Sequence, residues 1–325
     1  MKITVIGCGR WGSFIAWYLN SIGKDVTLYG RSESKRFQRF QKSRENDYIK
    51  LPESLKLSSD ISVVLDCETI VISVGAQTFR SLLKELNELS IRNKKIVLCM
   101  KGIEIATRMR LSEVCKQELH PSNKVAVWIG PGHVQEFYRG VPNCMVIDSE
   151  DEELKKYLVH EFSSSLIRFY YGTDLIGNEL GAALKNVIGI AAGALDGLGL
   201  SSLKGALMSR GTREVSRLIE KMGGNPFSAY GLCHLGDYEA TVFSKYSNNR
   251  KFGEALVKSE DFTKLAEGYY TSKAIVSLKE EYGVDMPITQ AVYNVCYENG
   301  DPKEEIENLF LRSLKDEFIE GEIND

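Results

Sequence analysis

The chain has 325 residues, with 41 Lys and Arg against 44 Asp and Glu, a net charge of −3 with histidine neutral. That balance argues against a nucleic-acid binder, whose phosphate contacts require a basic face. At 43% hydrophobic and 26% charged the composition is that of a globular protein. The length exceeds the roughly 250 residues at which a single core stops growing, so two domains are expected. Seven cysteines without a C-x-x-C pair, and with no histidine at ligand spacing from any of them, predict neither a disulfide framework nor a metal site. No run approaches the roughly 18 apolar residues of a membrane span. The short strand before Gly7 is too brief for a signal peptide, and a cytoplasmic, reduced protein is expected.

Taken in chain order, residues 2–6 form a β-branched run ending at Gly7, and 11–22 follow with apolar residues at helical spacing. A second strand is predicted over 25–29, and others over 69–73, 95–100, 125–129 and 144–147. Helix-like stretches at 79–89 and 111–119 separate some of them. Alternation of this kind predicts a doubly wound, mainly parallel α/β sheet covered on both faces. From residue 175 the texture changes. Residues 175–198 are one long stretch rich in Ala, Gly and Leu, and the helices predicted after it run over 206–222, 254–257, 272–282, 289–297 and 302–318. An acidic, frayed tail is expected over 317–325. The domains are placed at 1–174, Rossmann-type, and 175–325, all-helical.

Gly7, Gly9 and Gly12 form G-x-G-x-x-G between the first strand and the first helix. There Gly7 permits the tight turn, Gly9 lets backbone approach a pyrophosphate, and Gly12 lets the helix pack on the sheet. The helix N-terminus then faces the anion. NAD-selective sites place an acid at the end of the second strand, whereas this chain has Arg31, which favours NADP(H) through a charge-assisted fork on the 2′-phosphate. Glu33 nearby leaves use of NAD open. The other basic residues between 31 and 50 read equally well as a solvated helix face, with Lys35 and Arg36 as the next candidates for the 2′-phosphate.

In the second half, Lys185 lies within an otherwise apolar, close-packing stretch. Such a lysine either snorkels to solvent or serves an active site. Several segments in order then resemble the soluble NAD(P)-dependent glycerol-3-phosphate dehydrogenases over nearly the whole chain. They include the glycine loop, Met100-Lys101-Gly102, Gly130-Pro131, Ala183-Leu184-Lys185-Asn186, Gly236-Asp237 with Thr241, the stretch 247–253, and Ala266-Glu267-Gly268.

The resemblance implies reversible hydride transfer between NAD(P)H and dihydroxyacetone phosphate, giving sn-glycerol 3-phosphate, in a homodimer formed mostly by the helical domain. It makes Lys185 the proton-transferring lysine and Lys101 a second lysine touching nicotinamide and substrate. Gly130, Asp237, Ser247, Asn248 and Asn249 fall on the substrate pocket, and Arg10, Trp11, Val134 and Glu267 on the cofactor. Burial and a neighbouring cation would lower the pKa of Lys185, and pairing with Asp237 would raise it.

Two positions depart from the family pattern. Gly132 stands where the family has serine, and Asn248 stands where it has its phosphate-binding arginine. Partial compensation is expected from Lys101 and from an inward-turned Arg250. His133 and His234 fall on no catalytic position of the family and are read as structural. Two alternatives stay open. One is a same-fold NADP-dependent dehydrogenase for another small hydroxy or keto compound, which the loss of the arginine permits. The other is a non-catalytic NADP(H)-binding protein, against which the two lysines count.

Overall fold

The computed structural model describes residues 1–314, 316 and 317. Eight strands form one sheet in the order β3-β2-β1-β4-β5-β6-β7-β8. They are β1 Lys2–Ile6, β2 Asp25–Tyr29, β3 Lys56–Ser58, β4 Thr69–Ile72, β5 Lys95–Leu98, β6 Lys124–Ile129, β7 Asn143–Asp148 and β8 Ile167–Tyr171. The first six run parallel. Strand β7 pairs antiparallel with β6, and β8 continues parallel to β7. Strand order reverses on either side of β1, so the C-terminal ends of β1 and β4 open the crevice where ligands of such sheets bind.

Helices α1 Arg10–Ser21, α2 Lys35–Ser43, α3 Phe79–Glu88, α4 Leu111–Glu118, α5 Val134–Tyr138 and α6 Glu152–Phe162 cover the sheet. One face packs Phe14, Phe37, Phe137 and Leu158 against Val5, Val71 and Trp128. The opposite face packs Leu83 and Val114 against Ile72, Leu98 and Ile129. Crossovers through α1, α2, α3, α4 and α6 account for the parallel pairing of the strands they join, because the chain must return along the sheet before the next strand can lie parallel to the last.

The helical half consists of α7 Leu175–Gly197, α8 Lys204–Lys221, α9 Asn248–Lys258, α10 Glu267–Glu281, α11 Pro287–Tyr297 and α12 Pro302–Phe310. Helix α7 is its axis. Lys185, Gly189, Gly193 and Gly197 recur every four residues and share one face. A Cβ added at Gly193 would sit 1.8 Å from the carbonyl oxygen of Arg250, and one at Gly253 1.9 Å from that of Ile190. Backbones of α7 and α9 therefore touch, and only glycine allows it.

Several elements differ from expectation. Strands β3 and β8 and helices α5 and α6 were not predicted, and α2 falls within the 31–50 stretch read as a possible solvated helix face. Helix α12 stops at Phe310, short of residue 318, and buries none of its residues, so it has little tertiary packing to extend it. The predicted end at residue 318 and the acidic tail beyond Glu317 lie outside the described residues. No described helix is long and apolar enough to cross a membrane.

Candidate active site

A cleft of about 750 Å³ lies between the C-terminal edge of the sheet and the helical half. Its floor is the turn after β1. A Cβ at Gly7, where φ is +117°, would fall 2.1 Å from the carbonyl oxygen of Ser73 after β4, and one at Gly12 would fall 2.1 Å from that of Gly7. At Gly9 only the Arg36 guanidinium, 3.7 Å away, comes near. Helix α1 begins at that point with no side-chain cap and no acid in its first turn. An open backbone at Gly9 and an uncapped N-terminus fit the pyrophosphate of a dinucleotide.

Three segments bring the charged centre together. Lys101 follows β5, Lys185 projects from the small-residue face of α7, and Asp237 precedes a single π-type turn over Glu239–Phe243. Lys185 Nζ lies 2.8 Å from Asp237 Oδ2 and donates to Thr241 Oγ1 at 2.8 Å. Lys101 Nζ approaches the same Asp237 oxygen at 2.6 Å and donates to the Gly130 carbonyl at 2.7 Å. Asp237 is only 1% exposed, and its other oxygen, Oδ1, is buried without a partner. Lys185 does not snorkel, since its residue is 8% exposed. Burial lowers its pKa to about 8, with Asp237 opposing and Lys101 reinforcing the shift.

An amide chain extends this centre. Asn186 Nδ2 donates to the Lys101 carbonyl at 3.4 Å, and Asn249 Nδ2 donates to Asn186 Oδ1 at 2.9 Å. Gly268 N–H then donates to Asn249 Oδ1 at 2.9 Å. Ser247 caps α9 by accepting from the Arg250 N–H. Glu267, at the start of α10, accepts from the Ala76 N–H at 3.4 Å, and burial raises its carboxyl pKa to about 7. Trp11 and Val134 line the cleft beside the glycine loop.

The remaining sequence-derived residues are distributed less simply. Arg31 does not line the cleft, because its guanidinium forms an exposed pair with Glu85 at 2.8 Å. Arg36 and Arg39 of α2 do line it. Asn248 lines the cleft with its amide donating to the Leu265 carbonyl at 3.1 Å. Arg250 is not turned inward as expected: it pairs with Asp196 and donates to the Ser244 carbonyl at 3.2 Å. Gly132 has φ +147°, and a Cβ there would meet the Phe137 ring at 2.1 Å, which excludes a serine in this backbone.

His234 uses both ring nitrogens, one with the Gly181 carbonyl and the other with the Tyr238 hydroxyl. His133 does not, since its Nε2 is buried and unpartnered. Thr241 and Asn186 were visible in the matching segments but received no role there, and Tyr246 offered no signal at all. A second cleft, of about 1030 Å³, lies between α8, α11 and α12, away from the two lysines. Among the described residues no group of three His, Cys, Asp or Glu is placed to hold a metal.

Two family descriptions match the chain: the NAD-dependent glycerol-3-phosphate dehydrogenase N-terminus over residues 2–155, and the corresponding C-terminus over 174–307. A glycerol-3-phosphate dehydrogenase (NAD(P)+) of Clostridium botulinum strain Alaska E43 is 38% identical over 331 residues, covering 98% of this chain and 99% of the relative. One from Thermoanaerobacter sp. strain X514 is 34% identical, covering 98% of this chain and 99% of the relative. The crystal structure of glycerol-3-phosphate dehydrogenase from Coxiella burnetii superposes with a TM-score of 0.89 at 29% identity, covering 96% of this chain and 99% of that one. A ketopantoate reductase from Ralstonia eutropha shares the fold at a TM-score of 0.62 and 13% identity. With both halves matched and full-length relatives above one-third identity, this chain belongs to the NAD-dependent glycerol-3-phosphate dehydrogenase family.

Proposed function

We propose that the chain catalyses the reversible reduction of dihydroxyacetone phosphate to sn-glycerol 3-phosphate, with NADPH preferred over NADH. The observation that carries this reading is the Asp237 carboxylate, which holds Lys185 and Lys101 on one oxygen and leaves the other buried and unpartnered. A substrate hydroxyl donating to Oδ1 would satisfy it, and a ketone oxygen would then lie among the two ammonium groups.

A reduced nicotinamide held in this cleft would supply the hydride for C2 of the ketone. Lys185 donates its proton to the alkoxide forming at C2, and Lys101 stabilises the same charge as a second cation. Asp237 orients both and favours the charged form of Lys185 against its burial. In the reverse direction neutral Lys185 takes the proton from the C2 hydroxyl. Gly7, Gly9 and Gly12 with the start of α1 would cradle the pyrophosphate, and Trp11, Val134 and Glu267 would line the rest of the dinucleotide. Ser247 and Asn249 would face the substrate at the N-terminus of α9.

The same reading divides the chain into a cofactor domain over 1–174 and a catalytic helical domain over 175–325. It also includes a homodimer, which light scattering on the purified protein tests. A cytoplasmic location is supported by seven free cysteines, five of them buried thiols, as in a reducing compartment. The loss of arginine at 248 favours a second reading, in which an unphosphorylated keto compound is the substrate. NADPH oxidation assayed with dihydroxyacetone phosphate, dihydroxyacetone and a panel of keto acids separates the two. Turnover of the phosphate ester at least tenfold more efficient than that of dihydroxyacetone is expected, and the reverse order overturns the assignment.

A further inference from the structure

Asn248 leaves the substrate region without the cation that the family carries there, and Arg250 does not replace it, being held by Asp196 and the Ser244 carbonyl. A cation does arrive from the opposite wall. Arg10, the first residue of α1, lines the cleft and donates from Nη1 to the Tyr246 carbonyl at 3.2 Å, one residue before Ser247. Its guanidinium also stands 5.8 Å from the centre of the Tyr48 ring. None of its described partners is a carboxylate, so its charge is not neutralised locally.

His133 meets Arg10 at the same tyrosine. Its ring packs edge-on to Tyr246 with centroids 5.5 Å apart, it lines the cleft, and it is 7% exposed. Its Nε2 is buried and has no partner. A buried ring nitrogen of this kind carries a desolvation cost that only a partner removes. Burial, with Lys185 and Arg10 next in effect, lowers its pKa to about 4, so at neutral pH the ring is an uncharged group able to donate one hydrogen bond. In the same cleft, immediately after Tyr246, Ser247, Asn248 and Asn249 present the N-terminus of α9, an end that favours anions.

We propose that Arg10 and His133 form the subsite for the substrate's phosphate, with the glycine-loop arginine supplying the charge that Asn248 lacks and His133 Nε2 adding a neutral donor. The proposal rests on the substrate reading given above. It moves the principal phosphate ligand from the helical half to the sheet half, so that substrate binding ties the two walls of the cleft together. The competing anion is the cofactor's own pyrophosphate, which also lies by the glycine loop.

Four variants decide between them: Arg10→Gln, Asn248→Arg, the double variant, and His133→Leu. For each, KM for dihydroxyacetone phosphate is measured at saturating NADPH, and Kd for NADPH by fluorescence titration. Arg10→Gln should raise KM about tenfold, the scale of one lost charged hydrogen bond, and raise the NADPH Kd by less. The double variant should recover most of that loss, because the cation returns from position 248. Asn248→Arg alone should change KM less than threefold, since the charge is already present. His133→Leu should raise KM about threefold, the scale of a neutral hydrogen bond.

A KM change below threefold in Arg10→Gln overturns the proposal. So does an NADPH Kd that rises as much as KM, which would assign Arg10 to the pyrophosphate, or a double variant no better than the single one. Should Arg10→Gln fail to bind NADPH at all, Arg10→Lys decides. A threefold or larger rise in KM at unchanged NADPH Kd then supports the subsite, and an unchanged KM overturns it. A parent enzyme inert toward dihydroxyacetone phosphate would overturn the substrate reading itself, a failure visible before any variant is compared.

Discussion

Lys185 titrates in the middle of the accessible pH range because burial outweighs its pairing with Asp237. Its pKa of about 8 fixes the sign of the pH dependence. With Lys185 as the proposed proton donor, reduction needs the ammonium, so kcat for the ketone should hold below pH 8 and fall about tenfold per unit above it. Oxidation needs the free amine and should rise through the same pH. Lys185→Ala should lower kcat by about 10²- to 10⁴-fold and abolish that inflection. A variant keeping more than half the parent activity would remove Lys185 from the mechanism. Cofactor choice is a second residue-scale question. Arg31 is paired with Glu85 outside the cleft, whereas Arg36, from the helix that follows β2, lines it without a carboxylate partner among the described residues. The NADPH-to-NADH affinity ratio should therefore fall roughly 10- to 150-fold in Arg36→Ala and less than threefold in Arg31→Ala. Equal effects, or the reverse order, would return the 2′-phosphate to Arg31.

At the scale of elements, the α7–α9 crossing sets the position of the cleft wall proposed to face the substrate, because Ser247 to Asn249 open the helix whose Gly253 touches α7. Gly253→Ala should destabilise the fold by about 1–3 kcal/mol through overpacking and raise KM for the substrate as the start of α9 shifts. Gly205→Ala on α8 is the control, since nothing lies within 4 Å of its added Cβ, and it should stabilise by about 0.4–1 kcal/mol. Differential scanning calorimetry of both reads the contrast, and a destabilised Gly205→Ala would count against the packing argument. The same elements show what a sequence reveals. Strands β1, β2 and β4 to β7 are buried β-branched runs and were legible as such. Strand β3 has three residues, too few to show a period, and β8 alternates buried Ile167 and Phe169 with exposed Arg168 and Tyr170 at the sheet edge, a period-two pattern present in the sequence but absent from the expected strands. The antiparallel turn of β7 is set by the short path through α5, which no propensity encodes. Lys101 and Asp237 are 136 residues apart, and only the resemblance placed them together. The guanidinium directions of Arg31 and Arg250 depend on acids, Glu85 and Asp196, that no motif links to them.

Across the whole molecule, the two halves share packing as well as a cleft. Leu175 and Ala182 of α7 belong to the core on one face of the sheet. Next to them, Glu179 of α7 accepts from Arg110 Nη1 at 2.8 Å, from the Ser112 N–H at 2.9 Å and from the Ser112 hydroxyl at 2.6 Å. Burial pushes the Glu179 carboxyl above its ordinary range while Arg110 and Ser112 pull it back, which is the balance of a desolvated ion pair. Removing one member of such a pair strands the other and costs about 3–5 kcal/mol. Arg110 keeps a second, more exposed partner in Glu113 at 2.8 Å, so the lower end of that range is expected for Glu179→Ala. With an unfolding entropy of about 2.1 cal/mol/K per residue, that loss lowers Tm by roughly 4–5 °C. Its form matters more than its size. If the pair and the α7 packing couple the halves, the parent unfolds in one transition and the variant in one transition at lower temperature. Two transitions in the parent, with only one moving in Glu179→Ala, would mean that the halves fold independently and that the cleft is held by its ligands alone. Adding NADPH at about 100 times its Kd should then stabilise by about 2.7 kcal/mol and merge the two, whereas in the coupled molecule it shifts a single transition upward.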